Sequence, residues 1–422
     1  MNATNGSPLN AGIDPTLLVE STAYADPQLI RQILDHLREH QPVCYVEPER
    51  FRPFWAATRY DDIRYIESTP ELFSAEPRAV LIPESLEIEN LNRFGDMQGV
   101  KTLVHMDGPQ HLALRAITRD WFMPKNVAAM RGRIDVIADQ FIDRMRSMGG
   151  ECDFAADIAF WYPLRVVLQM IGISEEDEPT ILNLTQRLFA AESYVTEESD
   201  LSTVYGETLT ALAEFFTQLA EQRRNEPVND IASVLANANV NGEPLDPFTL
   251  ISYFVLLATA GHDTTSASLA GGVKALLDFP EQHRLLLAEP GLYPGAADEM
   301  IRWVSPVKHF ARTVLKDTTL SGVSLKAGET VAMFFDSANR DGEAIASPAK
   351  FDIKRDRSRH LAFGVGRHNC PGMHLARLEI AVFLEKLLPQ LEFIEQAGEP
   401  AYIQSGFVSG LNSLPVRYRF RD

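Results

Sequence analysis

The chain has 422 residues, 45% hydrophobic and 23% charged, which excludes extended disorder and allows one large unit or two to three ordinary domains. Its 39 Lys and Arg against 58 Asp and Glu give a formal charge of −19, which argues against nucleic acid as a partner. Cys44, Cys152 and Cys370 show no disulfide spacing, no window has the roughly eighteen apolar residues of a spanning helix, and the N-terminus lacks a signal pattern, so a cytoplasmic protein with no membrane partner is expected.

No repeat or Gly/Ser linker divides the sequence, so one domain over 1–422 is expected, with 1–20 as a disordered tail. Pro27 to His40 predicts an amphipathic helix, and Pro42 to Thr58, carrying Val43, Tyr45, Val46 and Phe54-Trp55, a short hairpin. Helical periodicity returns over Ala128 to Met148, Leu164 to Ile171, Ile181 to Ala191 and Val204 to Arg224. Asp246-Pro247 then supplies an N-cap and a first-turn proline for a helix running to about Leu277. Its stretch Ile251 to Ala260 is apolar on every side, and Gly261-His262-Asp263 interrupts it, which points to a buried central helix. Strands are expected over Ala311 to Leu315, Thr319 to Leu325 and Thr330 to Phe335. A last pair, Phe407-Val408 and Pro415 to Phe420, is expected around a turn at Gly410 to Ser413. The expected fold class is mainly α with a small β-rich region over approximately 42–60, 306–336 and 405–420.

Two segments carry chemistry. His360 to Arg377 reads HLAFGVGRHNCPGMHLAR and sets Phe363, Gly364, Gly366, Cys370 and Gly372 before an apolar helical stretch, Met373 to Leu388. Glycines let backbone approach a large flat ligand, and the N-terminus of the following helix favours a thiolate at Cys370. A zinc cluster of His360, His368, Cys370 and His374 is a second reading, although the paired ligand spacing of zinc sites is missing. A buried structural cysteine is a third. The other segment, Ala260-Gly261-His262-Asp263-Thr264-Thr265, places an acid and an alcohol inside an apolar helix, which costs free energy unless they are partnered or used. Gly261 weakens the helix there and leaves room for a diatomic ligand, while His262 reads as structural.

Together these segments resemble the cytochrome P450 family. Phe363, Gly366, Cys370 and Gly372 match its F-x-x-G-x-x-x-C-x-G loop, and Ala260 to Thr265 match its [AG]-G-x-[DE]-T-[TS] helix motif. RWVSPVK, SANRD, ATAGHDTTS and Glu151 to Phe154 are similar to the soluble, ferredoxin-dependent class, nearest its terpineol-hydroxylating and aromatic-hydrocarbon-binding branch. The resemblance implies a triangular helical prism around haem b, a long central helix, and Cys370 as thiolate ligand of the iron. It implies monooxygenation of a small hydrophobic substrate, a monoterpenoid or aromatic hydrocarbon, with O2 and electrons from an iron–sulfur ferredoxin and its reductase.

Residue by residue, it implies that Asp263 relays protons, that Thr264 steadies the bound oxygen species, and that Gly261 gives it room. Phe363, Gly366 and Gly372 would cradle the haem, with His111, Arg115, Arg312 and His368 on its propionates. Glu299 and Arg302 would lock the haem-side core with Arg355, from Pro348, Phe351 and Arg355 of P-x-x-F-x-x-x-R; Lys350 stands where many relatives carry arginine. Leu256, Ala260, Val307, Phe310, Phe407 and Val408 would form the substrate pocket, and the region Phe73 to Gly99 a lid. Pro371, where many relatives have an amide-bearing residue, withholds one N–H from the sulfur. Arg119, Lys125, Arg131, Arg133, Arg367 and Arg377 form either a ferredoxin-docking face or a set of ordinary solvated charges. A peroxide-driven peroxygenase, a haem sensor and a zinc protein are the rival functions.

Overall fold

The computed structural model describes residues 13–189, 194–196, 200–357 and 359–421. The first part runs α1 (Pro27–His40), β1 (Val43–Val46), β2 (Phe54–Ala57), α2 (Tyr60–Ser68), β3 (Phe73–Ser74), α3 (Glu84–Phe94), α4 (Gly108–Thr118), α5 (Pro124–Ala129), α6 (Arg131–Ser147), β4 (Glu151–Asp153), α7 (Trp161–Ile171) and α8 (Glu178–Phe189). The middle holds α9 (Leu201–Asn225), α10 (Ile231–Ala236), β5 (Asn239–Val240), β6 (Glu243–Pro244), α11 (Pro247–Ala260), α12 (Asp263–Asp278), α13 (Pro280–Ala288) and α14 (Tyr293–Val304). The last part holds β7 (His309–Val314), β8 (Thr318–Leu320), β9 (Val323–Leu325), β10 (Thr330–Phe334), α15 (Phe335–Ala338), α16 (Met373–Leu387), β11 (Leu391–Gln396), β12 (Ala401–Tyr402), β13 (Leu411–Ser413) and β14 (Pro415–Phe420). The fold is mainly α with small sheets, as the sequence implies.

Local chemistry explains the clearest helices. Asp26 accepts N–H bonds from Gln28 and Leu29, Pro27 takes the first position, and Ile30, Ile33, Leu34 and Leu37 bury one face of α1. Asp246 caps α11 through the Thr249 N–H at 2.9 Å. One core joins α6, α7, α11, α12, α14 and α16, with Tyr162, Phe254, Met300 and Phe383 almost fully buried. The main sheet has the order β1-β2-β10-β7-β3, parallel only between β10 and β2.

Several boundaries differ from expectation. The disorder expected over 1–20 does not hold for Pro15–Val19, a 3-10 helix with Leu18 and Val19 buried, because its apolar side chains pack inward. The helix expected from Ala128 divides at Met130 between α5 and α6. Ala190 and Ala191, expected in a helix, lie outside the described residues.

A π-helical turn, Phe154–Ala159, precedes α7, so Phe154–Ile171 is long and apolar enough to cross a membrane, contrary to the sequence count. Two thirds of it (67%) is buried inside the protein, as befits a core segment.

The expected C-terminal strand pair does not form. Val408 makes only an isolated bridge to Val307, and Leu411–Ser413, expected as a turn, is β13 beside β12. β14 instead lies between β11 and β4, with Val416 opposite Gln396 on one side and Cys152 on the other.

Candidate functional site

Cys370 stands just ahead of α16, where helix geometry leaves backbone N–H groups unpaired. Its own N–H donates to Phe363 O at 2.9 Å, closing the loop. Burial pushes the thiol up, against the opposing pull of the Gly372 and Met373 N–H groups and the Arg115 and Arg377 guanidiniums. A metal cation at the sulfur is what would turn this thiol into a thiolate. Gly366 is required by sterics: its φ is 71°, and a Cβ there would lie 2.5 Å from the Glu67 carbonyl oxygen of α2. No group of three His, Cys, Asp or Glu among the described residues could hold a metal, so the zinc reading falls. His360 and His368 turn instead to Asp298, at 3.2 Å, and Asp107, at 2.9 Å.

The break between α11 and α12 lines the same cavity as Cys370, one of about 460 Å3. A Cβ on Gly261 would meet Val167 Cγ2 at 2.8 Å, so α7 occupies the space a side chain would need. Side chains bond carbonyls around the break: Thr264 Oγ1 donates to Ala260 O at 2.9 Å and Thr265 Oγ1 to Gly261 O at 3.0 Å. His262 Nε2 lies 2.9 Å from Asp263 Oδ1, while Asp263 Oδ2 is buried without a partner among the described residues. Gly261, Asp263 and Thr264 line the same cavity as Phe363, Cys370 and Gly372.

One edge of the cavity is built for an anion. His111 and Arg115 sit one turn apart on α4, and the His111 ring lies 4.5 Å from that of His368. Arg115 Nη2 donates to Asn369 O at 2.5 Å, and His111 Nε2 is buried without a partner among the described residues. Burial, aided by His368 and Arg115, pushes His111 down to about 4. His105 joins this edge unforeseen: it lines the cavity, bonds Thr102 Oγ1 at 2.8 Å, and is pushed down to about 4 by burial, Arg312 and His368. Its only trace in the sequence is a histidine shortly before the H-x-x-x-R pair.

Arg312, on β7, is not among the side chains forming the cavity wall. Glu67 is, with Oε1 3.9 Å from Arg312 Nη2, and burial pushes Glu67 up to about 7 against Arg312 and the Val365 N–H. A flat tetrapyrrole with two carboxylates fits these residues: a cysteine sulfur faces the cavity, and an orphaned His111 Nε2 and a cationic Arg115 wait at its edge.

The expected pocket residues Leu256, Ala260, Val307, Phe310, Phe407 and Val408 all line the cavity. From the expected lid region come Val80, Leu81, Ile82, Pro83, Leu86 and Gln98. Two residues inside the expected pocket stretch Val307 to Phe310 fasten these loops to the start of β7. Lys308 Nζ donates to Ser405 O at 2.7 Å and to Val408 O, while His309 Nδ1 bonds Gly406 O at 3.1 Å and its Nε2 accepts the Leu81 N–H at 3.2 Å. Behind the cysteine loop, Glu299 binds both Arg302, at 2.7 Å, and Arg355, at 3.1 Å, with its carboxylate and the Arg302 side chain almost fully buried.

A helical body enclosing an apolar slot between a broken helix and a cysteine loop defines the haem-thiolate class of oxidoreductases. Comparison with known proteins agrees. The Cytochrome P450 family model matches residues 294–420. Cytochrome P450-terp of a Pseudomonas species is 38% identical over 405 residues, covering 94% of this chain and 95% of that protein. The steroid C26-monooxygenase of Mycolicibacterium smegmatis is 34% identical with the same coverages. The crystal structure of CYP108D1 from Novosphingobium aromaticivorans superposes with a TM-score of 0.90 at 38% identity, covering 99% of this chain and 100% of that one. The chain belongs to the cytochrome P450 family, monooxygenases that bind haem b through an axial cysteine thiolate.

Proposed function

We propose that this protein is a cytoplasmic monooxygenase that holds haem through Cys370 and hydroxylates a small, mostly hydrocarbon substrate with electrons from an iron–sulfur ferredoxin and its reductase. The observation that carries the reading is the apolar cavity lined by Cys370 together with Asp263 and Thr264. When bound, haem supplies the activation of O2. Leu256, Val307, Phe310 and Phe407 exclude water and hold the substrate by shape, which suits a monoterpenoid or an arene. A relative named P450-terp and the similar Mycobacterium marinum CYP268A2, solved with pseudoionone, support that class. Asp263 and Thr264 hold and pass protons at the cavity wall. His111, Arg115 and His368, joined by His105, receive the propionates. Arg312 would reach them from beside Glu67.

The carbon monoxide difference spectrum of the reduced protein tests this assignment. A thiolate-type Soret band that Cys370→Ala removes is expected, and a band surviving that change would refute Cys370 as ligand. Spin-state shifts with terpenes and arenes then test the substrate class. For the ferredoxin, Lys125, Arg133 and Arg367 are exposed with no ion pair among the described residues, whereas Arg131 is paired with Glu385 and Arg377 with Asp298. Electron transfer should slow as salt rises, and a flat profile would remove the docking face.

A further inference from the structure

His262 is fully buried, at 0% exposure, in the break between α11 and α12. Its Nδ1 lies 2.8 Å from Ala258 O and its Nε2 2.9 Å from Asp263 Oδ1. A carbonyl oxygen and an ionised carboxylate can only accept hydrogen bonds. Neutral imidazole has a single N–H, so it would turn a lone pair onto one of these two acceptors. Turning the ring over would put carbon at both. An ionised Asp263 and the Ala258 carbonyl are satisfied together only by a ring that carries both protons.

The surroundings agree. Thr185 Oγ1 of α8, 3.4 Å from Nε2, is neutral and donates to Leu182 O at 3.0 Å. From α7, the apolar Val167 packs against Gly261 at the break. Asp263 is therefore the charged group that acts on the ring. Burial alone would strip the second proton, but Asp263 and the Ala258 carbonyl outweigh it and raise the ring's affinity for protons. The carboxylate is held asymmetrically, with Oδ1 on His262 and Oδ2 buried without a partner, on a residue that lines the cavity. Buried acceptors without partners are rare in native proteins and call for an explanation.

We propose that His262 is a positioning residue: as a buried imidazolium it anchors Asp263 through Oδ1 and leaves Oδ2 free beside the cavity to accept and release protons. A proton that arrives at Oδ2 leaves from Oδ2, so the carboxylate regains its charge and the proton on His262 Nε2 is not consumed. The assignment rests on the monooxygenase reading only for the use to which that relayed proton is put.

The test has two arms. In the first, 15N-histidine-labelled holoprotein in its diamagnetic ferrous carbon monoxide form is examined by long-range proton–nitrogen NMR, with His262→Gln identifying the signal. Two N–H protons on His262, persisting above the pH at which a free imidazole loses one, are expected. A single N–H, as in a neutral ring facing a protonated Asp263, overturns the proposal.

In the second arm, His262→Phe and His262→Gln are compared with the parent in product formed per reductant, kcat, KM and the pH profile. His262→Phe is expected to lower kcat about tenfold at unchanged KM and to move the profile to higher pH, because the Asp263 carboxylate has lost its counter-charge. Glutamine, which can donate to Oδ1, should recover part of kcat but not the profile. Superimposable pH profiles would mean that His262 only fills space, and would overturn the assignment. An absent thiolate band would refute the monooxygenase reading instead. The proton count on His262 can then be read on the protein as isolated, so the two failures stay distinct.

Discussion

Replacing Arg302 by leucine removes the centre of the network behind the cysteine loop. Arg302 is 1% exposed; its Nε and Nη2 each bond Glu299 at 2.7 Å, and Nη1 donates to Asn339 O at 2.8 Å and Pro348 O at 3.1 Å. After the change Glu299 keeps Arg355 and the Asp352 N–H, but the carbonyls of Asn339, Pro348 and Lys350 lose a donor. Breaking one partner from a buried pair costs about 3–5 kcal/mol. At roughly 2.1 cal/mol/K per residue, unfolding 422 residues carries an entropy of about 0.9 kcal/mol/K, so Tm should fall by about 3–6 °C. The damage should reach the haem site, because Asn339 Oδ1 accepts the Leu361 N–H at 2.6 Å, two residues ahead of Phe363. Calorimetry beside the carbon monoxide band measures both effects, with Arg302→Lys as the charge-retaining control. A leucine variant with parental Tm and a full thiolate band would refute the argument that this network holds the loop.

Gly261→Ala places a Cβ 2.8 Å from Val167 Cγ2 and 3.1 Å from Leu257 O, and should cost about 1–3 kcal/mol of overpacking despite alanine's better helix propensity. A raised denaturation midpoint would contradict this. His105, His111 and His309 are each pushed from 6.5 to about 4, chiefly by burial. Because their folded values lie below the unfolded one, the stability they contribute is complete above about pH 6.5 and lost as pH falls towards 4. Unfolding midpoints across that interval should decline, less steeply in His309→Gln, and identical slopes would exclude His309. Pro371→Leu adds an N–H beside a sulfur already facing those of Gly372 and Met373, and should raise the reduction potential of the bound haem; an unchanged potential would show that the added N–H misses the sulfur.

What sequence alone determined is what short-range chemistry dictates. Asp26, Pro27 and the spacing of Ile30, Ile33, Leu34 and Leu37 suffice to delimit α1, because cap, proline and apolar face all act within a few turns. The cysteine loop and the acid–alcohol pair were legible for a related reason: each is a run of residue types at fixed offsets with one chemical use. Arg355 could be preferred to Lys350, and the structure puts its guanidinium on Glu299 while the Lys350 carbonyl accepts a bond from it.

Tertiary structure decided whatever depends on partners distant along the chain. β14 pairs with β4 more than 250 residues away, a partner that no local pattern reveals, whereas Leu411–Ser413 is a strand rather than a turn because β12 lies beside it across an irregular register. His105 and Glu67 joined the site, and Lys308 and His309 found their partners, only on folding, since a buried polar group must be satisfied and its sequence neighbours do not reveal by what. His262 shows the division within one side chain. Sequence placed it in the helix break, but its two acceptors, and with them its charge, were settled when burial left the ring no water to turn to.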